Sequence, residues 1–280
     1  MEKLIITQAL LRRYEGRLRD EEKSAATVDK YMREARRFAR YAGAREANKG
    51  VVLAYKSELG RAYPPKSANS MLAALNSLLR FAGRNDLSVR QFRLQTETYR
   101  SESAELTREE YFRLVSAAEQ KGDTMTSLLL QTVCCSGIRV SELGFVTAEA
   151  AAKGETTVSC KGKTRKIFIV SALREKLLKY AEENGVVSGP LFLTRGGDPI
   201  GRSTVWRRMK ALCAAAGIPG KKVFPHNLRH LFARTFYEQE RDIAALADIL
   251  GHSSVNTTRI YIISTGAEHA RKLENMGLTI

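Results

Sequence analysis

Residues Pro225–Tyr261 read PHNLRHLFARTFYEQERDIAALADILGHSSVNTTRIY, and three of the chain's four histidines, His226, His230 and His252, fall inside this stretch. Proline at a first helical turn sacrifices no hydrogen bond, so a helix is expected to begin near Pro225. Three residues apart, His226 and Arg229 then share one face. A second helix over Asp242–Leu250 is expected to stop at Gly251, which delivers His252 directly after it. Tyr261 follows nine residues later. Cations and N–H donors gathered around one phenolic hydroxyl suit a site that handles a phosphate. Histidine and arginine also meet on ordinary basic surfaces, so this stretch is read together with two others.

Ser136–Leu143 reads SGIRVSEL, and Cys160–Lys166 reads CKGKTRK between two strand-like runs. The stations in order are Arg139, Lys161, His226 with Arg229, Leu250-Gly251-His252, and Tyr261. With these motifs the chain, over nearly all of residues 24–262, resembles the tyrosine recombinase (phage integrase-like) family of site-specific DNA recombinases. The resemblance implies a mainly α-helical protein: a helical core-binding domain at residues 1–95, a linker at 96–105, and a mostly helical catalytic domain with a small antiparallel β-sheet at 106–280.

The composition agrees with a polyanionic partner. The formal net charge is +16 and the sequence pI about 9.9, which points towards nucleic acid. Residues 1–105 hold 21 Lys/Arg against 13 Asp/Glu, and residues 106–280 hold 25 against 17, so each part carries net +8. No basic tail carries the excess, and both parts are expected to touch double-stranded DNA as a clamp. A hydrophobic content of 44% excludes global disorder. Cys134, Cys135, Cys160 and Cys213 show neither a C-x-x-C spacing nor a disulfide framework, so no metal site is expected. Neither a signal peptide nor an apolar run of transmembrane length is visible. The default compartment is the reducing cytoplasm, with the protein on the nucleoid.

Along the chain, residues 1–19 suggest an amphipathic helix. From the candidate N-cap Ser24, apolar residues at Val28, Tyr31, Ala35, Phe38 and Tyr41 recur at helical spacing. Arg33, Arg36, Arg37 and Arg40 fill the other side, as a solvated face or a phosphate-binding one; the overall charge favours the second. Further helices are expected over Lys49–Leu59 and, after Pro64-Pro65, over Ser67–Phe81. Thr96–Ala104 is polar and aperiodic and reads as an interdomain linker. Thr107 with Glu110 forms a capping box, and an apolar helix over Met125–Cys135 leads to Arg139. Strands are expected at Glu155–Ser159 and Arg165–Val170 with Lys161-Gly162-Lys163 as the turn. A helix over Ala172–Glu183 follows. Ser203 is a candidate cap for a cationic helix with Arg202, Arg207, Arg208 and Lys210, which resembles the family helix lying along DNA.

For the matching positions the resemblance implies roles. Arg139 and Arg229 bind the non-bridging oxygens of a phosphodiester, a task suited to a permanently charged fork. Lys161 protonates the leaving 5′-oxygen, His226 shares the nucleophile's proton, and His252 hydrogen-bonds the phosphate. Tyr261 attacks, making a covalent phosphotyrosine link to DNA. Each position also has an ordinary reading. Tyr261, beside three isoleucines, suits a helix core; Lys163 competes with Lys161 for the acid role; Glu142 is either a partner that holds Arg139 or a helix-surface acid, the resemblance favouring the first. His230 is expected to face another way and be structural, and His269 to lie on the surface. Where the family often has glycine before the hairpin lysine, this chain has Cys160.

The bond energy is kept in the protein–DNA link, so no cofactor, ATP or metal is expected. A homo-tetramer on two synapsed sites is implied, with a monomer or weak oligomer when free. The short stretch before the first module predicts no additional arm-binding domain, as in compact Xer-like or small mobile-element recombinases. The tail at 264–280 carries helical spacing and is expected to pack on a neighbour or on its own domain. A type IB topoisomerase shares the chemistry, and a non-catalytic DNA-binding regulator is the rival from another class; the full six-residue set argues against the latter.

Overall fold

A computed structural model describes residues 3–94, 105–160, 163–252, 254–261 and 274–275. By contacts the chain divides into two units, Met1–Thr96 and Glu97–Ile280. The first unit contains α1 (Gln8–Asp20), α2 (Ala25–Ala42), α3 (Lys49–Ala62) and α4 (Pro65–Phe81). Helix α1 starts later than the apolar pattern suggests, because Thr7 caps it by accepting from the Leu10 N–H at 3.2 Å. Leu4 instead accepts from the Ala47 N–H in an extended lead. Helix α3 is capped by Asn48, and α4 begins with Pro65 in its first turn. Phe38, Tyr14, Leu72, Leu75, Leu78 and Leu79 close the core of this unit. Asn69 and Asn76, two turns apart on α4, each both donate to and accept from a backbone amide, at Phe92 and Val89. These amide side chains, Asn69 buried and Asn76 half-buried, thereby replace a missing strand partner for residues 89–92.

The second unit opens with the capping box of Thr107 and Glu110, made in both directions at 3.1 and 2.9 Å. It contains α5 (Arg108–Gln120), α6 (Thr124–Ser136), α7 (Ala148–Lys153), β1 (Glu155–Cys160), β2 (Lys163–Phe168), α8 (Ser171–Glu183), α9 (Arg202–Ala216), α10 (Pro225–Glu240), α11 (Ile243–Leu250) and α12 (Val255–Arg259). Leu114, Leu130, Val133, Leu177 and Phe192 are among the side chains of its apolar centre. The fold class is mainly α with one two-stranded antiparallel sheet. Among the described residues, no helix is long and apolar enough to cross a membrane.

Several sequence expectations are corrected locally. The strand register pairs Cys160 with Lys163 and Glu155 with Phe168. Lys163 is therefore backbone of β2, and Ile169 leaves the ladder to donate to the Gly154 carbonyl. Helix α9 begins at Arg202 after Gly201, so Ser203 sits inside the first turn rather than capping it. The linker expected at Thr96–Ala104 and the tail beyond Tyr261, apart from residues 274–275, lie outside the described residues.

Candidate active site

Arg229 sits one turn into α10 and is 3% exposed. Its Nη1 donates to the Gly137 carbonyl, and its Nη2 donates to the Leu250 carbonyl at 2.7 Å. Gly137 ends α6 and Leu250 ends α11, so the guanidinium rests on two helix C-termini, where a cation is favoured. Gly137 takes a left-handed φ of +62°, and a Cβ there would stand 2.5 Å from the Phe232 ring. Glycine thus both ends α6 and lets α10 approach. Burial first, then the Arg139 charge, push the Arg229 guanidinium down to about 10, while its hydrogen bond with Tyr261 pulls upwards. It remains a cation at neutral pH.

Arg139 projects from the turn after α6, with its side chain 35% exposed. Its Nη2 donates to the same Leu250 carbonyl at 3.2 Å, and its Nη1 meets Glu142 Oε1 at 2.8 Å. Glu142, 2% exposed, also accepts from the Arg139 backbone N–H at 2.9 Å. The carboxylate therefore holds both ends of this arginine.

His252 follows Gly251, whose φ of +63° terminates α11. Its Nε2 lies 3.1 Å from Arg229 Nη2, and its Nδ1 lies 2.8 Å from Thr258 Oγ1. A guanidinium N–H only donates, so Nε2 is the acceptor and Nδ1 carries the proton towards Thr258. Burial, followed by the charges of Arg229, Arg139 and Arg165, brings the imidazole down to about 4. The ring is neutral at pH 7.

Tyr261 closes the cluster at 3% exposure. Its ring centroid lies 4.4 Å from that of His230, 5.5 Å from His252 and 5.8 Å from His226. A cleft of about 580 Å³ opens onto Arg139, His226, Arg229 and Tyr261, with Arg202 and Trp206 on its α9 side. The guanidiniums of Arg139 and Arg165 face the carboxylate of Glu142, and Arg229 adds a third cation beside His252, leaving excess positive charge beside a phenol. An anion with several oxygens fits this arrangement better than a neutral ligand. Among the described residues, no group of three His, Cys, Asp or Glu is placed to hold a metal ion.

Of the residues singled out from the sequence, Arg139, Glu142, His226, Arg229, His252 and Tyr261 are brought together. Lys161 lies outside the described residues, and for Lys163 only the strand backbone is described. His230 corrects the sequence reading: at four residues from His226 it shares that face, and its ring stands 4.6 Å from His226 and against Tyr261. Sequence reasoning also missed Arg165 and Thr258. The cross-strand partner of Arg165 is the buried Val158, which is the signal that its side chain points inward.

The cations expected to meet DNA divide by what they already hold. Arg33 and Arg37 meet Glu34 at 3.0 and 3.8 Å, Arg36 meets Glu15 at 3.6 Å, and Arg40 is exposed. On α9, Arg202 borders the cleft and Arg207 is exposed. Arg208 instead turns back to Asp123 at 3.0 Å, and Lys210 donates to the Gly220 carbonyl beneath Trp206.

The profile of the phage integrase family matches residues 104–268. Tyrosine recombinase XerA of Thermococcus kodakarensis is 31% identical over 275 residues, covering 95% of this chain and 94% of the relative. Tyrosine recombinase XerC of Mesorhizobium japonicum is 28% identical over 286 residues, covering 91% and 89%. Among solved structures, a lambda integrase tetramer bound to a Holliday junction superposes with a TM-score of 0.74 at 21% identity, over 93% of this chain and 78% of that one. XerH bound to its difH substrate before cleavage gives 0.70 at 18% identity, over 95% and 84%. These superpositions speak for the fold.

Proposed function

The chain belongs to the phage integrase family of tyrosine recombinases, and from that premise we propose that it cuts and rejoins double-stranded DNA at specific sites through Tyr261. The observation that carries the reading is the pair of guanidiniums, Arg139 and Arg229, that share the Leu250 carbonyl beside Tyr261. A scissile phosphate offers the same donors two oxygens in place of one carbonyl, and charged forks bind such oxygens strongly.

In the proposed step, the Tyr261 oxygen attacks phosphorus and a Tyr–O–P bond forms as the P–O5′ bond breaks. The phenolic proton passes to His226, whose ring is exposed at the cleft, and Lys161 gives a proton to the departing 5′-oxygen. Arg139 and Arg229 hold the charge that develops on the non-bridging oxygens. The 3′-phosphotyrosine retains the energy of the broken bond, so a 5′-hydroxyl from a second duplex reverses the step without ATP. Two recombining duplexes contain four strands to be cut, and each chain contributes one Tyr261. A homo-tetramer on two paired sites therefore follows. The first unit, with the basic side of α2, acts as a DNA-binding module, and the second carries the chemistry.

The test is to incubate the full chain with fragmented host DNA and map covalent adducts by sequencing and peptide mass spectrometry. Adducts at one recurrent sequence, carried on Tyr261 through a 3′-phosphate, are expected. Adducts on another residue, or through a 5′-phosphate, overturn the reading.

A further inference from the structure

Arg165 has no part in the chemistry described so far, yet it is among the most tightly held side chains of the site, 9% exposed. Its Nη1 and Nη2 lie 3.2 and 2.8 Å from Glu142 Oε1 and Oε2, and its Nε donates to the Ile249 carbonyl at 3.0 Å. Glu142 also receives Arg139 Nη1 and the Arg139 backbone N–H, so its two oxygens accept four donors in all. The Arg165 stem passes directly beneath the turn after α11: a Cβ on Gly251 would stand 2.5 Å from Arg165 Cδ.

We propose that Arg165 is a positioning residue for Arg139, acting through Glu142. The inference rests on Arg139 being a phosphate-binding cation. Glu142 is buried, and a buried carboxylate facing one arginine draws that guanidinium into a two-pronged pair. Such a pair is neutral, and it turns the donors of Arg139 away from the cleft. Arg165 occupies one lone pair on each Glu142 oxygen, so Arg139 is held through Nη1 and its own backbone N–H while Nη2 reaches the Leu250 carbonyl. The three groups together keep one net positive charge, and it resides on the more exposed arginine. By gripping Ile249, Arg165 also holds the end of α11, whose next carbonyls, Leu250 and Gly251, receive Arg139.

The test is a double-mutant cycle in the full chain. Arg139→Ala, Arg165→Gln and the double variant are compared on a nicked duplex carrying the site found by adduct mapping, under single-turnover conditions. Arg165→Gln is expected to bind the duplex as the wild type does and to slow adduct formation by about 10²-fold, the scale of losing one preorganised charge contact. Arg165→Lys keeps the charge without the fork and is expected to recover only part of the rate. The double variant is expected to be no slower than Arg139→Ala alone, because a residue that works through another adds nothing once that other is gone. A methylphosphonate at the scissile position carries less negative charge, and the defects of Arg139→Ala and Arg165→Gln should shrink together on it. If the two losses multiply, or if Arg165→Gln reacts at the wild-type rate, the inference is overturned. An Arg139→Ala protein with undiminished cleavage overturns the site reading instead. If Arg165→Gln does not fold, the same cycle is run with Arg165→Lys and the same outcomes decide.

Discussion

The Nδ1 of His252 lies 2.8 Å from the hydroxyl of Thr258, a fully buried residue three positions before Tyr261. The contact ties the ring next to Arg229 to the short helix that leads to the proposed nucleophile. It also holds the imidazole in one tautomer, with Nε2 unprotonated and accepting from Arg229. A phosphate oxygen only accepts, so when DNA replaces Arg229 as the neighbour of Nε2 the ring must gain a proton or exchange tautomers. Thr258→Val removes the partner while keeping the shape. Adduct formation should fall by about tenfold, the scale of one hydrogen bond, and Thr258→Ser should restore it. Single-turnover rates of the two variants on the mapped site check this, and a Val variant as fast as the wild type would falsify the role.

The low affinity of His252 for protons has a consequence for stability. An unfolded histidine titrates near 6.5, whereas this one is brought down to about 4 by burial and by the neighbouring arginines. Between these values the unfolded chain binds a proton that the folded chain does not, so stability is lost as pH falls through that window. The charges facing the ring are Arg229 on α10, Arg139 after α6, Arg165 on β2, and His226 when protonated, and all act in the same direction. His252→Gln should therefore flatten the decline of Tm between pH 6.5 and 4 relative to the wild type. Thermal melts of both proteins across that range supply the measurement, with parallel curves counting against it.

Tyr261→Phe should leave binding to the mapped site unchanged and abolish covalent adducts. Only the phenolic oxygen is removed, and the ring packing against His230 at 4.4 Å is kept. Adducts trapped on a nicked duplex by the Phe variant would transfer the nucleophile to another residue.

How legible these features were in the sequence differs from residue to residue. The start of α10 at Pro225, the stop of α11 at Gly251 and the box of Thr107 with Glu110 are local chemistry, and each is found where the residues place it. Arg139, Arg229, His252 and Tyr261 were legible because their order and spacing form a motif. Arg165 was not, because its partners lie 23 and 84 residues away and include a backbone carbonyl, which no side-chain pattern encodes. His230 was misread although its spacing was sufficient, since i and i+4 on a helix are neighbours.

Lys161, which follows β1 in sequence and lies outside the described residues, is proposed as the acid for the leaving 5′-oxygen. Lys161→Ala should be slow on ordinary DNA and partly rescued when that oxygen is replaced by sulfur, because a thiolate departs without a proton. Rates on the paired substrates separate this from a binding defect. An equal loss on both removes Lys161 from the acid role.

The cations of α9 should contribute unequally to DNA affinity, although the sequence makes them equivalent. Arg207 is exposed, and among the described residues its Nη2 has only a 3.5 Å contact with Thr204, so a phosphate can take it with little to displace. Arg208 is held by both Asp123 oxygens at 3.0 and 3.1 Å and also reaches Thr126 at 3.2 Å. Its charge is already compensated at the start of α6, and recruiting it to DNA would strand Asp123. Each phosphate neutralised by a cation steepens the dependence of log K on log[salt] by about 0.9. Arg207→Ala should therefore lower the slope by about that amount and weaken binding to every sequence alike. Arg208→Ala should leave the slope unchanged and lower Tm instead, since it removes a half-buried partner from Asp123. Salt-titrated binding of both variants to the mapped site and to an unrelated duplex distinguishes them. If Arg208→Ala flattened the slope as much as Arg207→Ala, the Asp123 pair would have to open on DNA, and the resting geometry of α9 would not be the one that binds.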